Sequence, residues 1–184
     1  MPIKNIAEFD AETAVAGLQY VDPNLVAVTD EVKKILIACL PPTIAEMNSS
    51  FGLNIGVLDT DKIKKAPFKL DDTYINSILI GANIDTESLA PRHFVNFSNL
   101  TIYWVGQRLQ SQAQIDEATQ KGAAVRAVMN QFLTGYADEL GRRVWSELLP
   151  LPYAMLPEKW NAYSGIAVPF RARHDPGHNL WKVA

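Results

Sequence analysis

The C-terminal stretch PFRARHDPGHNLWKVA holds the side chains best suited to chemistry. His174 and His178 are two of the chain's three histidines and flank Asp175 at a spacing of four. On a helix that spacing would aim two imidazoles at one ion. With Asp175 as a third ligand, the result would be a small metal-dependent hydrolase. Pro176 and Gly177 stand between the histidines and favour a turn over a helix. A turn can still gather the two rings and the carboxylate. A structural zinc site, however, wants a fourth ligand and hydrogen-bonded partners behind it, and the neighbouring residues supply neither. The stretch therefore reads as a turn in an exposed or subunit-contacting tail, with no metal or cofactor expected.

The remaining candidates are few. Cys39, the single cysteine, falls on an apolar helical face with no basic neighbour to ionise it, so it reads as a buried inert thiol. No spacing in the sequence sets it beside His93 or His174 as a nucleophile pair. His93 follows Ala90-Pro91-Arg92 and reads as a surface loop residue. Asp59, Asp61, Asp71 and Asp72 lack the glycine pivot and terminal glutamate of a calcium loop. No glycine-rich phosphate loop, nucleophile elbow, paired-cysteine zinc motif or His-Glu-x-x-His is present. The sequence thus predicts no catalytic residue.

Trp181, near the end, offers more. A tryptophan on a frayed tail would leave a large apolar ring in water, so the ring is expected either against a neighbouring subunit or folded back on its own domain. Arg171 and Arg173 offer planar donors to a neighbour's carboxylates. Together with Trp160 and Tyr153 they form the predicted subunit-contact set, because aromatic and arginine side chains dominate interfaces.

These residues need a frame. The chain has 184 residues, 48% hydrophobic and 20% charged, enough for one core with peripheral extensions. A net charge of -3 argues against a general nucleic-acid binder, which needs a basic surface. The N-terminus MPIKNIAEFDAETAVAG is acidic where a signal peptide needs a basic start, and no run suits a membrane span. The chain reads as soluble and made in a reducing cytoplasm.

Residues 1–24 read as an N-terminal arm, 25–173 as the core domain, and 174–184 as a C-terminal tail. In the core, Thr29-Asp30 caps a helix carrying Val32, Ile35, Leu36, Cys39 and Leu40, and Pro41-Pro42 stops it. The segment DTDKIKKAPFKLDD reads as an exposed loop. TYINSILIGANI and NLTIYWVGQRL alternate as strands, joined by DTESLAPRHFVNFS as a loop. QAQIDEATQKGAAVRAVMNQFL is the strongest helix, with Asp116 and Glu117 expected in its first turn. YADELGRRVWSELL has helical composition. A Pro-rich insert occupies about 150–162, and YSGIAVPFRAR closes the core as a strand that Pro169 should hold at an edge or bulge. The fold class is α+β, an antiparallel or mixed sheet covered by helices.

VNFSNLTIYWVGQRLQSQAQIDEATQKGAAVRAVMNQFL leads a strand through a Gln-rich turn into an Ala-rich helix, followed by RRVWSELLPLPY and the strand VPFRAR. In this order of elements, over roughly residues 27–173, the chain resembles tailed-bacteriophage neck proteins of the tail terminator type. The resemblance implies a non-enzymatic virion protein that forms a ring, typically sixfold, and caps the tail tube. It further implies contacts with the tail tube protein and with a head-connector or stopper protein, and a channel through which DNA passes unbound. Alternatives are a head-closure or baseplate component, a monomeric adaptor domain, and the metal-dependent hydrolase above.

Overall fold

The computed structural model describes residues 24–56, 58–90, 93–108 and 111–174, with backbone alone for 85–90 and 93–96. Helix α1, Leu25–Phe51, is capped by Asn24, whose Oδ1 accepts from the Ala27 amide at 3.2 Å. Thr29 sits inside the helix, not at its cap; its hydroxyl donates to the Val26 carbonyl at 2.9 Å. Pro41 and Pro42 also lie inside it, against the expected stop. The carbonyls they deprive of partners belong to Ile37 and Ala38, on the water-facing side. Leu36, Leu40 and Ile44 meanwhile carry one buried stripe across the prolines. Packing of that stripe outweighs the lost helix bonds, as tertiary contacts supply most helix stability in proteins.

Five strands form the main sheet in the order β1-β2-β3-β7-β6. They are β1 Ile63–Lys65, β2 Ser77–Ala90, β3 His93–Val105, β6 Glu147–Pro150 and β7 Gly165–His174. β1 runs parallel to β2 and the other pairs are antiparallel. A separate pair joins β4, Tyr136–Ala137, to β5, Arg143–Trp145. Helix α2, Gln112–Asn130, opens with a capping box between Ser111 and Gln114. Asp116 and Glu117 therefore fall in its second turn. This is an α+β domain with a mixed sheet and two long helices on one face.

Period two sorts the residues. Ile78, Ile80, Leu100, Ile102, Trp104, Val168, Phe170 and Ala172 point at the helices and make the main core. The other face is covered only toward the ends of β3 and the start of β7, where Leu70, Leu79, Val105, Trp160 and Tyr163 form a second, smaller core.

Four expectations change. DTDKIKKAPFKLDD contains β1, drawn in by Ile63, which is buried. DTESLAPRHFVNFS is strand on both sides of residues 91–92, because β2 and β3 pair in register out to Ser88↔Phe94. His93 thus begins a strand. YADELGRRVWSELL holds β4, β5 and most of β6 instead of a helix. Gly141 turns there with φ 72, and Trp145 donates its indole N–H to the Phe132 carbonyl at 2.9 Å. Finally, β7 is interior. Its Pro169 carbonyl accepts from Leu151 at 3.0 Å, so the missing donor faces the β6 side, where that ladder ends at Pro150. The break that proline demands falls at an interruption beside an interior strand.

Candidate functional site

His174 ends β7 on the helix-facing side and is 3% exposed. Nδ1 lies 2.9 Å from the Val144 carbonyl and Nε2 lies 2.8 Å from the Ser98 hydroxyl. A carbonyl only accepts, so Nδ1 carries a proton and donates to Val144, while Nε2 pairs with the Ser98 hydroxyl. Both ring nitrogens are thus engaged within the chain. His174 is a core residue tying β3, β5 and β7 together, not the start of an exposed turn. Asp175, His178 and Trp181 lie outside the described residues. Among the described residues, no three His, Cys, Asp or Glu side chains gather as a metal site. Cys39 is partly buried on α1, packed against the main core.

The predicted contact residues separate. Arg171 and Arg173 stand on the face of the sheet away from the helices. The Arg171 guanidinium lies over the Phe97 ring at 4.0 Å, and Arg173 is exposed beside β6. Tyr153 is exposed near α2, with the Arg126 guanidinium 4.8 Å over its ring. Trp160 departs from its expected role. It is 2% exposed and packs edge-on against Tyr103 at 4.9 Å, so its ring belongs to the second core and is closed to a neighbour.

Three exposed apolar side chains were not singled out from sequence. Phe68 is 90% exposed after β1, and Met155 is 69% exposed. Ile115, on the first turn of α2, is also exposed. Phe68 carried a legible signal, an isolated aromatic in KKAPFK. Ile115 reads as part of the α2 stripe, and only the placement of the helix shows it outside the core.

Several buried polar groups pair within the chain. Glu31 is buried on α1, where it accepts from Lys34 Nζ at 2.6 Å and from the Tyr136 hydroxyl at 3.1 Å. Burial, then the bond to Glu31, pushes the Tyr136 phenol up to about 12. Asp138 accepts from the Leu140 and Arg142 amides at 3.0 and 2.8 Å and from Arg142 Nε at 2.6 Å. Burial works to raise its pKa, but the bonds from Arg142 and Leu140 outweigh it and hold the carboxyl below its usual range. A cleft of about 390 Å³ lies beside Lys121. That lysine is 5% exposed, bonded to Glu117 and 4.2 Å over the Trp104 ring. Its charge is matched inside the chain, and Asn76, Gln107 and Gln114 add neutral amides to the lining. Asp59 and Lys62 also line it, so the cleft mixes both charges with neutral amides.

The edges of the sheet differ most. Ala66 donates to the Ile80 carbonyl at 2.9 Å, the last bond on the outer side of β2 among the described residues. By alternation, the backbone groups of Ala82, Ile84, Thr86 and Ser88 face that same side. No strand among the described residues pairs with them. At the opposite edge, Leu148 N–H is taken by the Leu133 carbonyl at 2.9 Å, and Pro150 has no N–H to offer.

No protein-family model matches this chain, and no curated protein matches it. Among the described residues, no helix is long and apolar enough to cross a membrane.

Proposed function

We propose that this chain is a structural subunit of a tailed-phage neck, of the tail terminator type. It assembles with itself into a ring that ends the tail tube and leaves a channel for DNA. The ring, expected to be sixfold, would meet the tail tube protein on one side and a head-connector or stopper protein on the other. The observation that carries this reading is the inequality of the two sheet edges. A closed ring of identical subunits uses heterologous contacts, so each subunit presents two different patches. Among the described residues, an edge open for nine residues beyond Gly81 and an edge stopped at Pro150 are such a pair. The hairpin gives reach: those nine residues of β2 extend about 30 Å at strand rise.

The state of His174 favours this role over the hydrolase. A ligand to a metal must free a ring nitrogen, and here both are held in the core. Light scattering on the purified full chain across a concentration series tests the proposal. A discrete oligomer, seen as rings by negative-stain microscopy, is the expected result. A monomer at all concentrations, or bound metal lost on His178→Ala, would overturn it.

A further inference from the structure

Resting on the assembly reading above, we infer that Phe68 of one subunit docks into the pocket beside Ile115 and Met155 of a second copy of this chain. Phe68 is the most exposed large apolar side chain among the described residues, at 90%. It projects from the loop that follows β1, at one side of the sheet. Its own subunit gives it little beyond the Lys159 ammonium, 5.0 Å over the ring. A ring so placed forfeits most of the gain that burying an aromatic brings.

On the far side, between α2 and the segment following β6, a 190 Å³ pocket is lined by Ile115, Thr119, Tyr153, Met155 and Ile166. Ligand pockets run about 300–1,000 Å³, so this one is too small for a drug-sized molecule. Yet an apolar cavity of about 150 Å³ is enough to hold a benzene ring. The pocket matches one phenyl group. Its mouth is greasy as well, since Ile115, Tyr153 and Met155 are all exposed.

Charge fits the same pairing. Lys69 and Lys159 flank Phe68, both exposed, while Asp116 follows Ile115 on the exposed side of α2, next to the Glu117–Lys121 ion pair. Basic knob and acidic rim would steer the contact into register. Phe68 lies over the sheet face away from the helices, beside Gly81, Thr101 and Trp160, whereas Ile115 and Thr119 stand on α2 on the opposite face, so a subunit cannot satisfy its own pocket. Each copy offers a knob to one neighbour and a pocket to the other, which is heterologous. Capture of an unrelated peptide is the competing occupant.

The test uses the full chain in a Cys39→Ser background. Phe68→Cys and Met155→Cys are made separately, and each is oxidised alone and then mixed. Disulfides need Cα atoms within about 7 Å. The expected result is a covalent dimer in the mixture and little in either single variant. Without new cysteines, Phe68→Ser and Ile115→Asp should each raise the half-assembly concentration about tenfold or more. Phe68→Leu should restore most of it, and melting should confirm that each variant folds. If the parent chain assembles but the mixture gives no covalent dimer, or both substitutions leave the mass unchanged, this contact is wrong and the ring reading stands. If the parent stays monomeric and nothing cross-links, both fail.

Discussion

At one edge of the sheet, β2 leaves Ile80 behind and runs on to Ala90 with no described strand on its outer side. At the other edge, β6 stops after four residues at Pro150, and the Leu148 amide is already bonded to Leu133. Exposed edges invite pairing with other chains, and proteins blunt them with prolines, lysines and short strands. The β6 edge carries such protection. From Gly81 to Ala90, β2 has neither a lysine nor a proline. Among the described residues, the edge is left open on one side only, which supports the proposed assembly in one direction.

The comparison can be broken from the middle of the sheet outward. Gly165 sits where β7 begins, and a Cβ there would run into the Trp104 carbonyl oxygen and Leu156. Gly165→Val should cost more than about 3 kcal/mol and abolish both edges together, as measured by urea unfolding. A mild loss would show that β3 and β7 can separate there.

His174→Ala is next, at about 2–4 kcal/mol, since it leaves the Ser98 hydroxyl and the Val144 carbonyl buried without partners. Thermal melting reads this effect. Near-neutral stability would return His174 to the list of functional groups.

Asp138→Asn should cost about 1–2 kcal/mol at neutral pH, because two amides and a guanidinium lose a carboxylate acceptor. The folded pKa is depressed, so the carboxylate's contribution is full above the unfolded value of about 3.9. It fades as pH falls through the lower folded value. Parent and variant stabilities should therefore converge in that acidic window, and a constant gap down through it would refute the assignment.

The smallest effect on the monomer sharpens the contrast most. Ala82→Pro removes an N–H that faces the open side, and should change stability by less than about 1 kcal/mol while weakening assembly. Thr101→Pro, on the central strand β3, should cost about 3 kcal/mol or more. Equal costs would mean that β2 is not an edge there.

Much of the frame was legible in local pattern. Alternation found the centres of β2, β3 and β7, and the three-four spacing found α2. Alternation misjudged the ends of β2 and β3, because polar residues between Asp85 and Asn96 resemble a loop until a partner strand supplies their hydrogen bonds. The prolines of α1 misled for a related reason. Local rules count the lost bonds, but not the stripe of Leu36, Leu40 and Ile44 on the opposite face.

Composition and periodicity alone determined an α+β chain with a two-stranded centre, a covering helix and a single unpaired cysteine. These depend on residues close in sequence, whose spacing fixes which face they share. The tertiary structure decided the rest, because it turns on partners far along the chain. It set His174 between Ser98 and Val144 and closed Trp160 into the second core. It also left Phe68 bare at one side of the sheet and a phenyl-sized pocket at the other.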